Sequence, residues 1–305
     1  MTKLFLLAGF IWICLPLRVV TTVSQQRAPT RGGQGEIQGR GERGGLPRGG
    51  GLANKVPELP AGAFTASSTV ARTNLRHEWV DIPLGRTKIH TWIEYPNNLE
   101  KAPIIVVMQH AAGLDDWMRA LTDQLALQGF IAIAPDILSG MGPNNGNFDS
   151  FRFPDDAIRA MSRVKSEDAV RRYKAAWDYG TKLPQASGKG AVLGVGIGGS
   201  TVFDFAAEVP EVHAAVVFYG SAPAEAVLAR IKAPVLGLYG DQDLVATPTV
   251  ATTEGIMKKL GKTFEAHIYP GATQEFIRSQ AEGQNGAATA VAWPLAIAFL
   301  QRHLM

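Results

Sequence analysis

Residues 191–200 read AVLGVGIGGS, and their core, GVGIGGS (194–200), fits two incompatible patterns. Taken as G-x-G-x-x-G through Gly194, Gly196 and Gly199, it is a phosphate-binding loop for a dinucleotide. Taken as a sharp strand-to-helix elbow, it should present a nucleophile at the turn, and that place holds Gly196. The surroundings separate the two. A dinucleotide fingerprint opens the first strand–turn–helix unit and is followed about 20 residues later by an acid. Here several apolar strands come first, and the matching position falls at Phe218–Tyr219, where no carboxylate stands.

Those strands are legible upstream and downstream. PIIVVMQ (103–109) and FIAIAPD (130–136) are continuous apolar runs, as parallel strands covered on both faces require. AVLGVG (191–196), AAVVFYG (214–220), PVLGLYG (234–240) and TFEAHIY (263–269) continue the series. HEWVDIPL and KIHTWIEYP alternate polar and apolar residues, which predicts an antiparallel pair with one wetter face. Between the runs, LDDWMRALTDQLALQG is amphipathic and ends at Gly129, a helix stop. Further helices are expected over 165–182, 199–208, 248–260 and 287–303. Strands alternating with helices predict one α/β domain over 60–305, a mostly parallel sheet wrapped on both faces.

Ligands of such sheets bind at the carboxyl ends of the strands. The ends carry Gln109–His110, Pro135–Asp136, Gly196, Tyr219–Gly220, Asp241 with Asp243, and Pro270 to Phe276. The order of elbow, later acid and final loop is that of the α/β-hydrolases, in which nucleophile, acid and histidine follow one another. The elbow reading therefore prevails, and no dinucleotide cofactor is expected.

Composition bounds the rest. The chain has 305 residues, 46% hydrophobic and 19% charged, with a net charge of +3. Seven basic and two acidic residues fall within 1–54, so the remainder is net negative, and the balance gives no case for nucleic-acid binding. Lys3 followed by the apolar run Leu4–Leu17 and then TTVSQQ has the layout of an export signal over 1–24, too short for a comfortable membrane span. An uncleaved anchor is the alternative; a lipoprotein through Cys14 fits less well, with Ile13 where a small residue is wanted. With cleavage the protein is exported, periplasmic or secreted, and loses its single cysteine, Cys14. Residues 25–59 are rich in Gly and Arg and poor in apolar side chains, the composition of a flexible tether.

Five stretches in order carry a family resemblance. QHAAGLDDWMRALTDQLALQGFIAIAPDI (109–137), GVGIGG (194–199), FYG with GDQDLVATP (218–220, 240–248), YPGATQEFIR (269–278) and AWPLAIAFLQRHL (292–304) resemble the dienelactone hydrolase family over about 75–303. The resemblance implies an α/β-hydrolase fold and locates what is missing. The family's nucleophilic cysteine is matched by Gly196, its histidine by Gln274, and the glutamate after the third strand by His110. Asp243 matches the acid, Arg278 the arginine that holds a substrate carboxylate, and Tyr219 a pocket tyrosine.

Glycine has nothing with which to attack a carbonyl, and neutral glutamine is no general base. The amide of Ile197, just past the elbow, remains as an oxyanion donor. The expected function is therefore binding of a small organic anion or ester-like carboxylate by Arg278, Tyr219, Ile197 and Gln274, without the family's covalent hydrolysis. The alternative is an ester or lactone hydrolase in which His110, paired with Asp243 or Asp136, activates water. A partner-binding scaffold with a vestigial pocket is a third option. Ser200 should point away from the strand ends, and Ser221 has no evident base. Glu275 stands where it can present a carboxylate to the pocket. His77, His90, His213, His267 and His303 show no metal-ligand spacing, and the Asp241/Asp243 pair reads as turn capping, so no metal is expected.

Overall fold

A chain segment with no polar residue on either face must be covered on both, and the centre of this sheet is built from such segments. β3 (Ala102–Met108), β4 (Ile131–Pro135), β6 (Ala214–Phe218) and β7 (Val235–Gly240) are buried at every position. In the computed structural model, which describes residues 59–97 and 100–305, they form the middle of one eight-stranded sheet. The order is β1-β2-β4-β3-β5-β6-β7-β8, with β1 spanning Arg76–Leu84, β2 Thr87–Tyr95, β5 Ala186–Val195 and β8 Phe264–Tyr269. β2 runs antiparallel to both β1 and β4, and every other pairing is parallel.

Two strands differ from their sequence reading. β5 begins at Ala186, ahead of the apolar run, because Ala186 pairs with Ala102 across a register shift in β3. β2 is buried over its last five residues rather than alternating. It lies between β1 and β4, with α2 (Asp116–Leu127) and α4 (Ser166–Gly180) packed against it. The other expected helices appear as α5 (Ile197–Glu208), α7 (Val250–Lys259) and α8 (Asn285–Leu304). Three short ones were not expected: α1 (Ala66–Val70), α3 (Pro154–Met161) and α6 (Glu225–Leu228). Helices this short carry little periodic signal and are held by tertiary packing.

The export signal over 1–24 and all but Leu59 of the tether lie outside the described residues. Among the described residues no helix is long and apolar enough to cross a membrane, and no cluster of His, Cys, Asp or Glu could hold a metal ion.

Candidate active site at the elbow

Three glycines of GVGIGG are fixed by close approach of backbone. A Cβ on Gly194 would lie 2.3 Å from the Gly198 carbonyl oxygen, one on Gly198 2.3 Å from that of Met108, and one on Gly199 2.7 Å from that of Phe218. α5 can start hard against β3, β5 and β6 only because these positions lack side chains. Gly196 differs: the nearest atom to its Cβ position is Tyr219 Cε2, at 3.8 Å, an ordinary contact. What Gly196 supplies is conformation, with φ 59° and ψ −116°, which L residues reach only with strain. Its N–H donates to the Phe218 carbonyl (3.0 Å) and its own carbonyl accepts from Ser200 N (3.0 Å), so both sides of the turn are pinned.

Tyr219 sits beside the elbow, at the end of β6, and is itself left-handed at φ 42°, a second strained position. Its N–H bonds to the Leu238 carbonyl at 2.9 Å, and its ring packs edge-on against Phe276 with centroids 5.6 Å apart. The hydroxyl is buried without a hydrogen-bond partner. Burial, together with the nearby Glu275 charge, pushes its ionisation well above the ordinary phenol range, so it is a donor at any working pH.

His110 is not placed against Asp243 or Asp136. Its Nε2 lies 3.3 Å from Asp115 Oδ2, and its ring meets Trp117 edge-on at 5.3 Å. Asp136 is occupied elsewhere: Oδ1 accepts from Leu138 N (2.9 Å) and Oδ2 from Phe148 N (2.6 Å), fastening the loop after β4. Burial raises that carboxyl to about 6 despite the two bonds. Asp243 has Oδ1 spent on the amides of Val245 and Ala246 (2.8 and 3.0 Å), while its Oδ2 is buried and unpartnered. Asp241 does not cap its own turn but ties it to the loop after β8, accepting from Gly271 N at 2.7 Å. Gln274, at the matching histidine position, is exposed.

Asp115 went unnoticed in the sequence, although an Asp directly before an amphipathic run is a helix-start signal. It is the N-cap of α2, with Oδ1 accepting from Met118 N at 3.0 Å, and its Oδ2 faces both His110 and Arg278 (3.7 Å). Burial alone would raise the Asp115 carboxyl. The His110 bond and charge, the Met118 amide and Arg278 together hold it below the ordinary carboxylate range. Arg278 also reaches Glu275, at 3.3 Å, while its Nε is buried without a partner. One side of the elbow thus carries the chain His110–Asp115–Arg278–Glu275. Ile197 is exposed at the turn, and Ser200, half-buried, lines a small cavity with Gln109 and Tyr173.

A glycine-lined strand-to-helix turn at the carboxyl ends of a mostly parallel sheet, with an acid on a later strand end, defines a protein of the α/β-hydrolase fold. Comparison with known proteins narrows this. The model of the dienelactone hydrolase family matches residues 89–304, and the chain belongs to that family. A carboxymethylenebutenolidase of Pseudomonas putida is 29% identical over 196 residues, covering 63% of this chain and 82% of its own. The solved dienelactone hydrolase from Anabaena variabilis matches with a TM-score of 0.59 at 23% identity, covering 76% of this chain and all of its own. A dienelactone hydrolase-like promiscuous phosphotriesterase from metagenomic libraries gives a TM-score of 0.64 at 22% identity, over 76% and 99% of the two chains. At these identities the two structures speak to fold alone.

Proposed function

We propose that this dienelactone-hydrolase-like protein binds a small organic anion at the elbow and does not carry out its family's covalent hydrolysis. The observation that carries the reading is a pair of idle donors. The Tyr219 hydroxyl and Arg278 Nε are buried beside the turn with no partner, and a buried donor left unpaired costs about 1–3 kcal/mol. A ligand carboxylate offers both of them an acceptor, and the Ile197 amide at the start of α5 adds a third donor. Asp115 and Glu275 already neutralise part of Arg278, so the ligand must compete with them. Loss of chemistry rests on Gly196 and Gln274, since a turn without a side chain has no attacking atom and an amide takes up no proton. The sequence before residue 25 further supports export of the protein.

The second reading is hydrolysis by water that His110 activates. The contact of His110 with Asp115 favours it, with Asp115 rather than Asp243 as the orienting acid. An esterase assay on the purified protein with activated esters and lactones separates the two. Binding alone predicts no turnover above buffer, saturable binding of small carboxylates, and weaker binding in Arg278→Ala and Tyr219→Phe. Turnover that vanishes in His110→Ala and survives Ser221→Ala would overturn the non-catalytic reading. Gain of activity in Gly196→Cys with Gln274→His would show that only the reacting groups had been lost.

A further inference from the structure

Behind the elbow lies a cavity of about 160 Å3 that shares Ile197 and Gly198 with the turn but none of Tyr219, Asp243, Gln274 or Arg278. It lies between α3, α4, α5 and the segments that follow β3 and β4, partly open to solvent beside Ile197 and Ser166. Its apolar wall comes from Ile137, Met161 and Ala169, and its polar wall from Gln109, Tyr173 and Ser200. Gln109 is 1% exposed, yet neither Oε1 nor Nε2 has a hydrogen-bond partner. A buried carboxamide in that state forfeits up to four hydrogen bonds, which is rare enough in folded proteins to require an explanation. Beside it, the Tyr173 hydroxyl receives the Gln109 N–H at 3.0 Å and keeps its own proton free to donate. Ser200, half-buried in the first turn of α5, adds a hydroxyl to the lining.

We infer that this cavity is a binding site for a small neutral molecule that pairs a carboxamide-like polar end with a short aliphatic body. The lining decides the class. No Lys, Arg or His borders the cavity, and Asp204, bonded by the Ser166 hydroxyl, stands at its edge, so an anion finds no counter-charge there. Gln109 presents a donor and an acceptor side by side, the complement of a primary amide, a lactam or a similar donor–acceptor pair. The apolar wall takes the aliphatic end. An apolar cavity of about 150 Å3 holds benzene, so a ligand of about six non-hydrogen atoms fits. The site uses none of the side chains assigned to the anion, Tyr219, Arg278 and Gln274, and neither of the functions weighed above requires it.

The full-length chain, isotope-labelled and titrated with isobutyramide and separately with isobutyrate, tests this by NMR. Isobutyramide should produce saturable shifts at the amides of Met161, Tyr173 and Thr201, which line the cavity away from the turn. Affinity should fall about tenfold in Gln109→Leu, the loss expected for one well-formed hydrogen-bonded contact. Ala169→Leu, which fills the cavity from the opposite wall without touching Gln109, should abolish the shifts, and it decides the matter alone if Gln109→Leu does not fold. Isobutyrate should leave these amides unmoved, whether or not it shifts Tyr219. The inference is overturned if isobutyramide does not saturate at these amides, if Ala169→Leu binds like the wild type, or if isobutyrate fills the cavity equally well.

Discussion

Replacing Gly196 by alanine isolates the strain of the elbow from everything else at the site. The added methyl meets nothing closer than Tyr219 Cε2 at 3.8 Å, so no clash contributes. What remains is backbone: holding an L residue at φ 59°, ψ −116° costs about 1–3 kcal/mol. Alanine also narrows the unfolded ensemble, which returns about 0.4–1 kcal/mol. The net expectation is a loss of about 1–2 kcal/mol, or roughly 2–8 °C in Tm for a domain of this size. Urea denaturation followed by circular dichroism measures it, with an unchanged slope showing that only stability moved. Gly255→Ala serves as the opposite control, because Gly255 is exposed in α7 with nothing within 4 Å of its Cβ position, and there alanine should stabilise by up to about 1 kcal/mol. If Gly196→Ala is as stable as the wild type, or more so, the elbow does not hold the strained geometry and the case for a preserved turn collapses.

Gly198→Ala should be worse than Gly196→Ala, since its Cβ would lie within 2.6 Å of two backbone carbonyl oxygens; equal midpoints for the two variants would contradict the packing described. Asp115→Ala removes a helix cap worth about 1 kcal/mol and the partner of His110, so its midpoint should fall by at least that amount, while a silent substitution would deny Asp115 its structural role. Asp136→Asn keeps one acceptor for the loop but turns an amide donor toward the other N–H, so hydrogen exchange of Leu138 or Phe148 should accelerate with the rest of the domain unchanged. Glu94, 1% exposed and bonded by Trp92 Nε1, has its carboxyl pushed up to about 8, by burial first and by the Asp123 charge second. Folded protein keeps this proton between about pH 4.5 and 8 while the unfolded chain has lost it. Stability therefore declines as pH rises through that window, by at most about 5 kcal/mol. Glu94→Gln should flatten that decline in a series of Tm measurements, and an unchanged slope would place the titration elsewhere.

The sheet was legible because burial on both faces leaves a continuous apolar signature, and the order of strand ends then separated an elbow from a phosphate loop. What periodicity could not convey was length where pairing, not hydrophobicity, extends a strand, as at Ala186 opposite Ala102. The short helices α1, α3 and α6 were invisible for the related reason that one or two turns carry no period. At the site, the glycine turn and its neighbours Tyr219 and Arg278 could be placed from motif order, whereas the partner of His110 could not. Pairing of a histidine with an acid is a matter of side-chain direction, and two carboxylates at strand ends, Asp136 and Asp243, looked as eligible as any. Both proved to be engaged by amides of their own loops, and the acid that reaches His110 is the one that begins the next helix. Gln109, which lines one cavity with Ser200, keeps a buried amide without partners, and sequence spacing leaves no trace of that.

The contacts around Gly194, Gly198 and Gly199 mean that the bend is held by packing and not by whatever stands at its tip. Those three positions answer to neighbouring carbonyls, and a mutation at any of them is purged by misfolding whatever the protein is for. Gly196 answers to no neighbour of that kind. A side chain at this position meets backbone strain alone and leaves the packing of the helix start untouched. The glycine trio therefore reports how the helix seats against the sheet and carries no information about what stands at position 196.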